Sequence, residues 1–105
     1  MFIAMNHFSV NPERTAEFEA SWRERDTHLA GVPGLQHFAL LKGIEPGEYA
    51  SHTIWDSRAD FEAWARSDAF RKAHAGGGPA EGVILGHPQV KFWDAVIEET
   101  PAASR

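Results

Sequence analysis

The chain has 105 residues, which is enough for one domain and too few for two. An apolar fraction of 43% argues against disorder, and a net charge of −5 without a basic run argues against nucleic acid or an anionic membrane as partner. Because the sequence has no cysteine, disulfides, thiolate metal sites and a cysteine nucleophile are excluded.

The first segment, residues 2–10, predicts a β-strand. Alternate positions place four side chains on one face: Phe2, Ala4, Asn6 and Phe8. The opposite face is apolar as well, so we expect both faces to be covered. The segment lacks the basic start and long apolar stretch of a signal peptide. We therefore expect a cytoplasmic protein without a membrane span.

A helix is predicted to begin at Asn11, which can cap it, and to continue to about Gly31. Phe18, Trp22 and Leu29 form its apolar stripe. The charged residues near its end are expected on the solvated face: Arg23, Glu24, Arg25 and Asp26.

A β-hairpin is predicted next, with strands at residues 35–42 and 48–55 joined by a turn at 43–47. Ser57 follows the second strand and is expected to cap a helix.

Two short helices are predicted after Ser57, at residues 58–66 and 68–75. On one straight helix, Phe70 would lie about 180° from Phe61. We therefore expect a break at Ser67, which can cap the second helix.

The glycine run that follows predicts a mobile loop over residues 76–87, which we interpret as a connector rather than a phosphate-binding motif. Residues 88–97 predict a last strand that is apolar on both faces. We expect one domain over residues 1–98 and a frayed tail over 99–105.

The element order β-α-β-β-α-β predicts a ferredoxin-like α+β fold, an antiparallel sheet with helices on one face. The helices leave the second apolar face of the sheet uncovered. A second copy of the sheet is the simplest cover, so we expect a homodimer.

Six histidines are candidate ligands: His7, His28, His37, His52, His74 and His87. None of them forms a pair at helical metal-ligand spacing. His74 ends a predicted helix before the glycine run. It could interact with the helix dipole there, or it could be an axial haem ligand facing an open cavity, which Phe70 one turn earlier could line.

Asn6 allows two interpretations on sequence alone, whereas Trp64 allows one. Asn6 is a poor strand former on an apolar face, so it either bonds to a neighbouring loop or reaches into a cavity beneath the helices. Trp64 lies at helical spacing from Phe61, which is typical of a core residue.

These residues recur in a known family. The segment WDSRADFEAW at residues 55–64, followed by SDAFRKAH at 67–74, resembles the core of IsdG-type haem-degrading monooxygenases. These belong to the antibiotic-biosynthesis-monooxygenase superfamily. Asn6 in the first strand matches the family as well. With LGHPQ at residues 85–89, the chain looks most similar to the rhizobial members.

The resemblance implies a haem-degrading enzyme with three functional residues. His74 would be the proximal iron ligand, Asn6 would orient oxygen near the haem edge, and Trp64 would press the porphyrin out of plane. Phe61 and Phe70 would complete the haem site. Haem would be both substrate and cofactor.

The resemblance also implies partners and an assembly. Oxygen and an external electron donor, supplied by a reductase, would be needed to open the ring and release iron. Two sheets would close into a dimeric barrel with one haem per subunit. Basic residues for the haem propionates are not evident, and Arg71 and Lys72 are the nearby candidates.

Two other functions remain open on the sequence. A haem carrier would share the His74 ligand but would not degrade haem. A haem-free monooxygenase of the same superfamily, acting on a polyaromatic substrate, would need the cavity but no axial histidine.

Overall fold

The computed structural model describes residues 1–75, 81–99 and 101. A 3₁₀ turn at Pro12–Arg14 accompanies four strands and three helices: β1 (Phe2–Ser9), α1 (Thr15–Glu24), β2 (Leu35–Lys42), β3 (Glu48–Trp55), α2 (Arg58–Ala65), α3 (Asp68–Ala75) and β4 (Gln89–Asp94). The predicted element order and the break between α2 and α3 are confirmed.

The four strands form one antiparallel sheet in the order β2-β3-β1-β4. In its centre, Phe2 lies opposite Trp55 and Phe8 lies opposite Tyr49. These side chains share the face on which the helices pack, so the α+β ferredoxin-like fold is confirmed.

The closed part of the core lies between α1 and the sheet. Phe18 of α1 is fully buried, and its ring centroid lies 4.8 Å from that of Tyr49 and 5.5 Å from that of Phe8. The Tyr49 hydroxyl donates a hydrogen bond of 2.5 Å to Glu19, so this buried polar group is satisfied.

The predicted extension of the first helix to Gly31 is wrong, because α1 ends at Glu24. Arg25 turns into extended backbone, and the Asp26 carboxylate accepts a hydrogen bond of 2.9 Å from the His28 amide. Such a local side-chain bond competes with helical backbone bonds. Leu29 therefore lies outside the helix.

The predicted serine caps are confirmed. Ser57 accepts a hydrogen bond from the amide of Asp60 at 3.2 Å, and Ser67 accepts one from the amide of Phe70 at 3.2 Å. Each cap satisfies a backbone donor at the start of a short helix, and the second begins the helix that ends near His74.

The predicted mobile loop at 76–87 is only partly within the described residues, because 76–80 lie outside them. In the described part the segment is anchored near its middle, and its predicted mobility stays a prediction. Val83 is fully buried, and Ile84 forms an isolated bridge with Val10. The predicted tail, residues 99–105, lies mostly outside the described residues.

The last strand is shorter than predicted and is an edge strand that is exposed along its length. Trp93 is 51% exposed, and Val96 and Ile97 beyond the strand are more than 80% exposed. Within the described part of the chain, no helix is long and apolar enough to cross a bilayer.

Candidate functional site

A cavity of about 310 Å³ lies between the sheet and the helices α2 and α3. Its walls are largely aromatic and come from several elements: Trp22, Phe38, Phe61, Trp64, Phe70 and Phe92. Such a volume and such walls are typical of sites for apolar, flat ligands.

A second cavity of about 740 Å³ adjoins the first, since both are lined by Asn6, Arg25 and His74. Its other lining residues include charged side chains, among them Glu24 and Lys72. The combined space is therefore apolar at one end and charged at the other.

His74 lies at the border between these cavities, on the last turn of α3. Its Nδ1 is 2.8 Å from the carbonyl oxygen of Phe70, one turn earlier. A carbonyl can only accept, so Nδ1 carries the proton in this bond. In the tautomer that has its proton on Nδ1, the lone pair is on Nε2, the atom that can ligate a metal.

The ring of His74 is held between aromatic neighbours although the side chain is exposed. It stacks on Phe70 with ring centroids 4.1 Å apart and lies 6.3 Å from the ring of Trp64. Phe70 in turn meets Trp64 edge to face at 4.8 Å. These contacts limit the orientation of the imidazole.

Asn6 and Trp64 each bury a polar atom with no hydrogen-bond partner among the described residues: Oδ1 of Asn6 and Nε1 of Trp64. Both residues line the cavity. An unsatisfied buried group costs about 1–3 kcal/mol. Such groups are tolerated where a ligand completes their bonding, so both atoms fit a site that holds a polar or charged flat molecule.

Phe61 links the cavity to the core. Its ring centroid lies 5.4 Å from those of Phe2 and Phe92 and 6.1 Å from that of Trp64. All five sequence-predicted site residues are therefore gathered around one cavity: Asn6, Phe61, Trp64, Phe70 and His74.

The other histidines do not line this first cavity, although His28 lines the second. His37 and His52 lie on the opposite face of the sheet, with ring centroids 5.7 Å apart. Burial, and to a lesser extent the neighbouring His37, lowers the pKa of His52 below its usual 6.5. In the described ranges, no group of three or more His, Asp or Glu side chains is arranged to hold a metal ion.

The basic residues around the cavities differ from the sequence-based expectation. Arg71 pairs with Asp68 on α3 and is 70% exposed, whereas Lys72 lines the second cavity. Arg25, predicted to be solvated, is half-buried and lines both cavities. No signal in the sequence predicted this placement, because the predicted helix continued past Arg25 to Gly31, whereas α1 ends at Glu24.

Ser51 was also missed by the sequence analysis. It is the cross-strand neighbour of Asn6 and lines both cavities. Pairing between β1 and β3 identifies such a residue only once the register is known, because a shift of one position would move it to the other face.

Comparison with known proteins gives the context for this site. The profile of the family described as "Antibiotic biosynthesis monooxygenase" matches residues 1–76, a span that includes Asn6, Trp64 and His74. A "Heme-degrading monooxygenase" of Shouchella clausii is 37% identical over 73 residues, covering 70% of this chain and 67% of the relative. A protein of the same name from Bacillus mycoides is 26% identical over 76 residues, covering 72% of this chain and 70% of that protein.

A solved structure shares the fold over nearly the full chain. This is the heme-degrader MhuD from Mycobacterium tuberculosis, with two hemes bound in its active site. It aligns with a TM-score of 0.74 and 27% identity, covering 95% of this chain and 100% of that chain.

These similarities bear on the expected family and subgroup. The expected likeness to rhizobial members is not supported, since the relatives matched here are from Shouchella and Bacillus. The broader resemblance is confirmed by the profile match and by 37% identity to a curated relative. The chain belongs to the antibiotic biosynthesis monooxygenase family and is an enzyme of the monooxygenase class.

Proposed function

We propose that this enzyme binds haem in the cavity beneath α2 and α3, opens the porphyrin with O2 and electrons from an external donor, and releases the iron. The observation that carries this proposal is His74, whose Nδ1 is bonded to the Phe70 carbonyl beside an aromatic-walled cavity. Relatives named as haem-degrading monooxygenases, and a haem-bound structural neighbour, support the same ligand.

His74 would hold the iron through Nε2. The bond from Nδ1 to a backbone carbonyl fixes the tautomer and makes the ring a better donor to a metal. Stacking on Phe70 at 4.1 Å limits rotation of the ring. When bound, haem supplies an iron centre for O2 activation and the porphyrin carbon that is oxidised.

Asn6 and Trp64 would act on the reaction rather than on iron binding. Oδ1 of Asn6 has no hydrogen-bond partner among the described residues and can accept a bond from a polar group in the cavity. Trp64 is a stiff ring packed against Trp55 at 5.3 Å, so it can press on a flat ligand without yielding. Both residues would favour the distorted, reacting geometry over the resting one.

The charged end of the space is lined by acidic and basic side chains, and the basic ones would meet the carboxylates of haem. Lys72 lines the second cavity and is the better of the two proposed basic contacts, because Arg71 is already paired with Asp68. The apolar macrocycle would occupy the aromatic end, which excludes water from the reacting atoms.

We also propose that the enzyme is a homodimer that pairs through the outer sheet face. Trp93 lies on that face and is half-exposed, as is expected where a partner covers a surface.

Sedimentation at micromolar concentration should give a dimer, and Trp93→Glu should shift it to a monomer. Ile44→Glu, in the β2–β3 turn and 99% exposed, should stay dimeric. A monomeric wild type would refute this assembly.

The proposed activity is tested by adding haemin to the pure protein, then ascorbate under air with catalase present. Catalase removes the peroxide that would destroy haem without the enzyme. The proposal predicts about one haemin per subunit, loss of the Soret band, and iron that a ferrous chelator can capture.

The two other functions would give different results in the same experiment. Stable binding without reductant-dependent Soret loss would identify a haem carrier. Absence of haemin binding would overturn the proposal and leave a haem-free monooxygenase, for which oxidation of a phenolic substrate is the next measurement.

A further inference from the structure

Arg25 connects the end of α1 to the end of α3. It is the first residue after α1, where the backbone becomes extended. Its guanidinium donates a hydrogen bond of 2.6 Å to the carbonyl oxygen of Ala73, which is buried. Ala73 directly precedes His74, so this contact fixes the backbone next to the imidazole.

The guanidinium is held in place by a second contact. It lies over the ring of Trp22, with 4.6 Å between the guanidinium carbon and the ring centroid. A planar guanidinium that is stacked in this way loses little further freedom when it donates a hydrogen bond. Arg25 is therefore a fixed donor rather than a mobile surface cation.

The carbonyl oxygen of Ala73 lies at the end of α3, where the helix needs a hydrogen-bond donor from outside. The last carbonyls of a helix have no donor within the helix, and a cation near them interacts favourably with the helix dipole. At the opposite end of α3, Ser67 caps the helix. The bond from Arg25 thus connects the last turn of α3 to the residue that follows α1.

Helix α3 has only eight residues, and a helix this short is not stable alone. Phe70 anchors its middle against Trp64. Without Arg25, the last turn would be held mainly by burial of the small Ala73 side chain. His74 is in this last turn, so its direction depends on the anchor.

We propose that Arg25 is a positioning residue that holds the last turn of α3 and with it the His74 ring, which lines the cavity. The inference rests on the proposed function, because the placement of this ring matters only if it ligates iron. Arg25 also lines both cavities. Direct contact with the carboxylates of haem is the competing role that the experiment must separate.

The first arm of the test needs no haem. Hydrogen exchange of the ligand-free protein should be faster by about tenfold at residues 70–75 in Arg25→Met than in the wild type. Exchange in α2 should stay unchanged. Arg23→Met is the matched control, since Arg23 is on α1, is 74% exposed and pairs with Glu19. Equal exchange in α3 for Arg25→Met and the wild type would overturn the proposal.

The second arm measures haemin affinity in two backgrounds. In the wild-type background, Arg25→Met should weaken haemin binding about tenfold and diminish the axial-imidazole spectrum. Arg25→Lys should restore most of both, since it can still donate to Ala73. In His74→Gly with free imidazole added, the imidazole that would bind the iron is no longer attached to α3. There, Arg25→Met should have no further effect.

The two backgrounds separate positioning from direct contact. An equal loss of affinity in both would mean that Arg25 binds haem carboxylates directly, and positioning would be wrong. A wild-type protein that does not bind haemin would overturn the proposed function instead. The exchange measurement would still decide whether Arg25 anchors α3.

Discussion

Two neighbouring tryptophans on the helix side of the sheet show how the two halves of the core differ. Trp55 is fully buried, and its indole N–H donates to the Thr53 hydroxyl at 2.7 Å. Trp64 lies 5.3 Å away, and its indole nitrogen is buried without a partner in the part of the chain that the structure describes. Similar surroundings thus satisfy one indole and leave the other unpaired.

The same contrast separates the α1 half from the α2–α3 half. Beneath α1, Phe18 and Tyr49 are fully packed, and the Tyr49 hydroxyl is bonded to Glu19. Beneath α2 and α3, the layer opens into a cavity where Oδ1 of Asn6 is also buried without a partner among the described residues. Natural proteins depart from the packing rules mainly at functional sites, so the open half is where chemistry is expected.

The largest effect on stability is expected in the closed half. Phe18→Ala removes a fully buried ring and should lower the free energy of unfolding by about 3–5 kcal/mol, which lowers Tm by about 12 °C or more. Phe70→Ala, in the open half, should lower Tm much less but weaken haemin binding. Equal losses of stability in both variants would show that the two halves are packed alike.

His74→Ala should separate binding from stability. The side chain is exposed, so Tm should change by no more than about 2–3 °C. The axial-imidazole spectrum of bound haemin should be lost. His28→Ala is a suitable control, because that histidine lines only the second cavity. An unchanged spectrum in His74→Ala would exclude His74 as the ligand.

Trp64→Phe should change activity more than stability. The substitution removes the unpaired indole N–H and keeps an aromatic ring against Trp55, so Tm should shift by only a few degrees. Haemin should still bind, whereas its reductant-dependent degradation should slow at least tenfold because the smaller ring presses less on the ligand. The matched substitution Trp55→Phe should instead lower Tm, since it removes a satisfied hydrogen bond.

The smallest effect is expected on the outer face of the sheet. Because the pKa of His52 is lowered in the folded state, the unfolded chain takes up more protons as the pH falls through 6.5. Stability should therefore be independent of this group above that pH and decrease below it, until the lowered pKa is passed. Thermal unfolding between about pH 7.5 and 5.5 should show a shallower decline in His52→Leu than in the wild type. Parallel curves would contradict this.

Much of the fold could be predicted because local signals agreed with the final packing. The strands at 35–42 and 48–55 have the predicted bounds, since alternation and a glycine-containing turn define them. The break at Ser67 followed from the angle between Phe61 and Phe70. The end of α1 was missed because the Asp26 side chain bonds to a nearby amide, which helical periodicity does not reveal.

The candidate site was predicted in part. Asn6, Trp64 and His74 were singled out from the sequence itself, and the family resemblance gave them their roles. The structure places all three around one cavity; their roles stay predictions. Arg25 could not be predicted, because its bond to Ala73 joins residues 48 positions apart. Burial of Val83 was missed for a similar reason: its environment depends on the pairing of Ile84 with Val10.

The most direct test of the central claim compares the wild type with Asn6→Ala. The measurement is the rate of Soret loss after ascorbate is added to the haemin complex under air, with catalase present. Asn6→Ala should bind haemin with similar affinity, since the iron–imidazole bond remains, and should degrade it at least tenfold more slowly. Equal rates in both proteins would contradict the claim that Asn6 of the open half serves the reaction.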